Sequence, residues 1–443
     1  MTKKSTMLAA VSFLLGTMLV IASAVGVTKS IRSSPGGVRD VLRSGDPQIP
    51  RGKELNDLVT SLQLRLTKVP KDHVAWATIG LAYVQMAKVT VDPSYYPRAE
   101  AALARSQEVS PKDNYLAFAG LSALASARHD FFKARDFANE GLSTNPFSAV
   151  LYGALSDAEL QLGRYDEAAA AVQRMVDLAP DTASLSRASY TWELRGNTDE
   201  ARRLMQRALD DAGNASNAAF ALVHLGTLAD DHGDANGALG YFRAALEASP
   251  TDVAALAGKA KAEAALGQIE TALDDYQTVV TRAPEPGYLI EYARLLESAG
   301  RADQSREQYR VLAITQRLFA ENGVAPDAAE ALFEAERGDP IKAMEYAERG
   351  AATRPFLTMF DARAWALHAA GRDEEALQAM KQAMVLGTRS ALFDFHLGMI
   401  SLSLGDQTGA RSALSAALDL NPTFDPLSAP IARSTLATLT ATP

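Results

Sequence analysis

The chain has 443 residues, of which 47% are hydrophobic and 22% charged, with 29 Gly, 19 Pro and no Cys. It is too long for one small domain and too apolar for a disordered chain. The absence of Cys excludes a disulfide framework, thiolate metal sites, iron–sulfur clusters and cysteine nucleophiles. The net charge of −9 is unevenly spread. Residues 1–51 are basic, with Lys3, Lys4, Lys29, Arg32, Arg39, Arg43 and Arg51 against Asp40 and Asp46, so the acidic excess falls on the rest. An acidic body repels phosphate backbones, and nucleic acid is not an expected partner.

Residues 1–28 read as a signal anchor or a signal peptide. No charge interrupts residues 5–28, and at ~1.5 Å per residue such a span crosses a hydrocarbon core. Lys3 and Lys4 precede it, and Ala22-Ser23-Ala24 has the form of a cleavage site. The expectation is a single-pass membrane protein with its body extracytoplasmic. Cleavage near Ala24 with secretion, and a cytoplasmic body, are the alternatives. Residues 29–52 contain Ser33-Ser34-Pro35-Gly36-Gly37 and read as a basic flexible linker.

Residues 53–71 predict a capping helix. From there a repeat governs the chain. Gly163/Ala168, Gly196/Ala201, Gly233/Ala238, Gly267/Ala272, Gly300/Ser305, Gly338/Ala343, Gly371/Ala376 and Gly405/Ala410 each place a small residue five positions after a Gly. Successive glycines stand 33, 37, 34, 33, 38, 33 and 34 apart, and Pro111, Pro146, Pro180, Pro250, Pro284, Pro355 and Pro422 recur in the same frame. An amphipathic helix runs up to the Gly, which ends it in the left-handed conformation. A second helix follows and stops at the Pro. The small residue lets the two helices approach closely. One hairpin buries too little alone, so neighbours must stack.

These residues resemble the tetratricopeptide repeat, a 34-residue helix–turn–helix unit. The third unit shows it with Tyr152, Leu155, Gly163, Tyr165, Ala168, Val172, Met175 and Pro180; the fifth with Leu225-Gly226, Gly233, Ala238, Phe242, Ala245 and Pro250; the tenth with Leu397-Gly398, Gly405, Ala410, Leu414, Ala417 and Pro422. The second unit departs from it, with His129 where Gly is usual, and the eighth lacks a large residue on its first helix. About ten units over 72–422, with a C-terminal cap at 423–443, imply an all-α, right-handed superhelical solenoid. The chain also looks like membrane-directed tetratricopeptide proteins of high-GC, actinobacterial-type bacteria.

The resemblance implies that the first helix of each unit lines a concave groove. Its frame puts Asp157, Tyr190, Glu193, Thr227, Asp230, Lys261, Arg294, Glu297, Trp365 and His368 on that face. Some tetratricopeptide domains hold a peptide carboxylate there with Lys and Asn; the first unit here offers Ala77, Leu81 and Val84 instead. An extended peptide or a partner helix is the expected occupant. Two insertions stand out: 87–97, with Tyr95 and Tyr96, as a contact loop or as packing, and 320–326 as a hinge or an ordinary connection.

No phosphate-binding, dinucleotide-binding or nucleophile-elbow motif is present, and the six His lack ligand-pair spacing. The chain therefore reads as non-catalytic, without cofactor or metal. It is expected to act as a scaffold or assembly factor at the cell envelope, membrane-associated through residues 5–28, with a protein partner. The alternatives are an exported binding protein for a cell-wall ligand and an accessory subunit of an enzyme.

Overall fold

Side-chain caps set the starts of the helices. Asp72, Asn114, Asp130, Ser148, Asn197, Asp234, Asp252, Asp339, Ser390 and Asp406 each accept a backbone N–H of the first turn that follows. A cap of this kind contributes ~1 kcal/mol. Glycines set the stops: Gly163, Gly196, Gly233, Gly267, Gly300, Gly371 and Gly405 all lie at positive φ. His129 adopts the same conformation, φ 61, so the second unit makes the usual turn with an unusual residue.

The computed structural model describes residues 49, 53–326, 328–337 and 339–441, which contain 22 helices and no strand. Helix α1 is Lys53–Lys68. Ten hairpins follow: α2 (His73–Thr90) with α3 (Tyr95–Val109), α4 (Tyr115–Ala127) with α5 (Phe131–Thr144), α6 (Ala149–Gln161) with α7 (Tyr165–Leu178), α8 (Thr182–Glu193) with α9 (Thr198–Asp210), and α10 (Ala215–Asp231) with α11 (Ala235–Ala248). Then come α12 (Val253–Ala265) with α13 (Ile269–Arg282), α14 (Pro286–Ser298) with α15 (Ala302–Glu321), α16 (Ala328–Glu336) with α17 (Pro340–Thr353), α18 (Leu357–Ala369) with α19 (Asp373–Ala383), and α20 (Ala391–Ser403) with α21 (Gln407–Leu420). Helix α22 (Ser428–Ala441) packs on α21, and α1 packs on α2, so both ends of the stack are covered.

The small residue after each Gly sits where the two helices cross. Ala201, Ala238, Ala272, Ala343, Ala376 and Ala410 are fully buried, and Ser305 nearly so. The approach is close at Gly80, where an added Cβ would lie 2.6 Å from the Leu103 side chain, and at Gly226, where it would lie 2.8 Å from the Phe242 ring. Helix α16, the first of the eighth unit, has only 9 residues.

The stack winds until its second turn touches its first. The turn inside each of units one to five meets the loop that follows a unit five places later. Val91 packs with Ala283. The His129 Nδ1–H donates to the Ala325 carbonyl, 2.8 Å. Arg354 Nε donates to Gln161 Oε1. Thr388 Oγ1 donates to the Leu194 carbonyl, 2.5 Å, and Asn421 Nδ2 to the Asp230 carbonyl, 2.7 Å. The four bonded rungs join residues 191 to 196 apart. One apolar cluster spans the same seam, with Leu160, Tyr165 and Leu194 against Phe356 and Leu357.

The seam settles how the two insertions are used. The 320–326 segment is a fastened connection rather than a hinge: Val324 and Phe319 pack on the cluster of Val84, Tyr96 and Leu124, beside the Ala325 rung. In 87–97, Tyr96 is buried and Tyr95 stacks on Tyr83 at 6.0 Å, so the tyrosines pack over the widened hairpin. Among the described residues no helix is long and apolar enough to cross a membrane. The span expected at 5–28 and the linker at 29–52 lie outside the described residues, apart from Ile49.

Candidate functional site: the inner wall

The first helices of successive units form one wall, and the expected wall residues fall into three groups. In the middle, α8, α10 and α12 bring together Tyr190, Glu193, Thr227, Asp230 and Lys261. Lys261 Nζ lies 2.9 Å from Asp230 Oδ2 and 3.7 Å from Asp231 Oδ1. The Asp230 charge raises the Lys261 pKa and keeps it charged. From α14, Glu291 accepts the Tyr276 hydroxyl at 3.2 Å. Glu193 is part-exposed, yet burial of its carboxyl, with the Asp231 charge adding, pushes its pKa up to about 8. Three acids, Asp230, Asp231 and Glu291, thus act on the one ammonium of Lys261. Tyr190 packs its ring on the seam cluster, and Thr227 Oγ1 bonds back to the Val223 carbonyl.

The second group lies towards the C-terminus. Arg294 forks onto Asp425, with Nε–Oδ2 2.9 Å and Nη2–Oδ1 2.6 Å, and also pairs with Glu336. Asp425 accepts the N–H groups of Leu427 and Ser428, at 3.0 and 2.6 Å, and so starts α22 as well. These residues are 131 apart, about two-thirds of the seam's register. The contact joins α14, in the seventh unit, to the segment that follows the tenth. Glu297 pairs with Arg337 at 2.5 Å. Trp365 stacks on His396 at 4.2 Å and lies 4.9 Å from His368, whose Nδ1 bonds Asp373.

The third group is Asp157 alone. It is 2% exposed and held by Arg187, so its carboxylate serves packing between α6 and α8 rather than an open groove face. The sequence reading missed Arg187, as it missed Asp361, which accepts from His396 Nδ1 at 2.7 Å. The frame position of Arg187 carries His224, Glu291 and His396 in other units, so its charge alone gave no signal. It also missed Asp425, which precedes a Pro and reads as a loop residue. Among the described residues no group of three or more His, Asp or Glu could hold a metal ion.

A chain of stacked helical hairpins is a helical-repeat solenoid. The family model described as tetratricopeptide repeat matches residues 124–183, 195–253, 223–286 and 257–318. No curated protein matches the chain. Solved structures similar to it include a tetratricopeptide repeat protein from Parabacteroides merdae, at 17% identity over 58% of this chain and 98% of that one, with a TM-score of 0.34. Yeast Tom70 is similar at 14% identity over 88% of this chain and 93% of that one, with a TM-score of 0.34. The human IFIT1 dimer with PPP-AAAA is similar at 13% identity over 83% and 87%, with a TM-score of 0.44.

Proposed function

We propose that this chain is a non-catalytic scaffold of the cell envelope that holds a segment of a partner protein against its inner wall. Tetratricopeptide repeats generally mediate protein–protein contacts and peptide binding, and the wall supplies chemistry for it. The observation that carries the reading is the middle of that wall. Glu193 and Lys261 remain partly open while their neighbours are packed, and carboxylates outnumber ammonium groups there. Such a surface favours a segment with basic side chains, because complementary charge speeds encounter and rejects acidic competitors. Residues 5–28 would deliver the protein to the membrane, with the repeats on the extracytoplasmic side.

The reading is tested by capture from solubilised membranes with the tagged chain, comparing the wild type with Glu193→Lys and Trp365→Ala. The melting temperature of each variant shows that it is folded. A partner identified with the wild type is expected to be lost or weakened in Glu193→Lys. Equal recovery by both folded variants would remove the inner wall as its site. Protease protection of a C-terminal tag in intact cells tests the topology.

A further inference from the structure

The seam uses the turns of units one to five and the loops after units six to ten, and so leaves the opposite edges of the stack over. The leftover turns lie open. A Cβ added at Gly267, Gly300, Gly371 or Gly405 would meet no atom of the described residues within 4 Å, whereas at Gly163 it would stand 2.6 Å from the Pro355 carbonyl oxygen. The leftover loops repeat the chemistry of the seam. Pro146-Phe147, after the second unit, matches Pro355-Phe356, after the eighth. Phe356 is buried in the seam, 6.3 Å from the Tyr165 ring, but Phe147 is 74% exposed. Phe147 is thus a seam residue with no turn to rest on. Ile341 is 83% exposed and stands at the turn of the eighth unit, where α17 begins.

The two caps are half-units. Helix α22 packs through Ala432 and Leu439 on α20 and α21, in the place of a next first helix. Helix α1 packs through Leu58, Leu62 and Leu66 on α2 and α3, in the place of a preceding second helix, and Pro70 follows it as Pro180 follows α7. A helix that ends a solenoid needs a polar outer face. The outer face of α22 instead presents Pro430, Ile431, Ser434, Ala437 and Thr438, and Arg433 is the only charged residue of the helix.

We propose that a second copy of this chain docks end to end on the first, with α22 of one copy against α1 of the next, so that two half-units make one hairpin and the superhelix continues. The seam supplies an independent check on the register. In a continued stack the joined caps count as an eleventh unit, and the second unit of the next copy as a thirteenth. The turn of the eighth unit then meets the loop five places on, which is the next copy's Pro146-Phe147 loop. The rule that fastens each chain to itself thereby brings together Phe147 and Ile341, the two most exposed large apolar side chains among the described residues. The same count lays the next copy's Val69, also exposed, over the open turn at Gly267. The contact joins unlike surfaces and does not close, so it builds a filament.

Because the chain has no Cys, thiols can be placed singly. The full chain, solubilised in detergent, is made as Phe147→Cys, as Ile341→Cys and as the double variant, and each is treated with a short bismaleimide. The double variant is expected to give a ladder of dimers, trimers and longer species on denaturing gels. An equal mixture of the single variants is expected to give dimers and nothing longer, about tenfold faster than either variant alone, because unlike surfaces meet. Ile431→Glu, an exposed change on α22, is expected to abolish the ladder at an unchanged melting temperature. A chain that stays monomeric in sedimentation as its concentration is raised would overturn the proposal. So would single variants that cross-link as fast as their mixture, or a ladder that survives Ile431→Glu. No partner protein takes part, so these results and those of the capture experiment are read separately.

Discussion

Asp157 and Arg187 face each other across α6 and α8 in a two-point ion pair, 2.9 Å at Nε–Oδ1 and 2.6 Å at Nη2–Oδ2, with both side chains 2% exposed or less. Arg187 Nη1 also donates to the Ala183 carbonyl at 3.1 Å. Breaking such a pair strands a buried charge, at ~3–5 kcal/mol. Asp157→Ala should therefore lower unfolding stability by that amount in urea titrations. Asp157→Leu combined with Arg187→Met, which removes both charges, should recover most of the loss. A double variant as unstable as the single one would show that the pair's geometry, and not stranded charge, sets the cost.

Two glycines separate the seam from the local turn. Gly405 has φ +80 and open space around the position of a Cβ, whereas Gly196, at φ +71, lies against the Gly387 carbonyl. Gly405→Ala should cost only the left-handed strain, ~1–2 kcal/mol. Gly196→Ala should cost more and should also enlarge the radius of gyration measured by X-ray scattering. Identical costs with unchanged dimensions would mean that the turns are not in contact in solution.

His129 makes the seam sensitive to acid. Burial, with the nearby Arg354 charge adding, lowers its pKa to about 3 against the pull of the Ala325 carbonyl. An unfolded His takes up its proton near pH 6.5. Below that value the unfolded chain binds a proton that the folded chain does not, so this contribution to stability is lost as pH falls from about 6.5 towards 3. Between pH 7 and pH 5 the wild type should lose up to ~2 kcal/mol through this group. His129→Gly, which suits φ 61, should lose less over the same interval; parallel pH curves would refute the assignment.

Asp425 serves two ends at once, as the partner of Arg294 and as the cap of α22. Asp425→Ala should cost ~2–3 kcal/mol, since its bonds are charge-assisted. Together with Arg294→Ala it should cost less than the two single changes combined, because both act on one interaction. Thermal unfolding followed by circular dichroism measures all three.

The hairpins were legible in the sequence because their signals are local. Gly163 ends a helix, Ala168 lies at a crossing and Pro180 stops the next helix, all within one unit. His129 hid the same turn, since nothing in a sequence marks a His at positive φ. The seam was not legible: Thr388 and Leu194, or Asn421 and Asp230, are ordinary residues, and what joins them is the number of units per turn. That number comes from small packing angles summed over five hairpins. The wall was legible in part. Asp157 was expected on an open face, but it is buried against Arg187, whose place in the repeat frame is held by His224, Glu291 and His396 in other units.

The turn of each early unit rests over the joint between two later ones, as bricks do in running bond. An open stack of hairpins tolerates the gain or loss of a repeat, because each unit knows only its neighbours. Here, deleting one hairpin would slide every course by a full brick and bring His129, Gln161, Leu194 and Asp230 against the wrong joints. The length of this masonry is therefore fixed by its own bonding pattern, and the molecule should come apart as a block instead of unravelling from its ends.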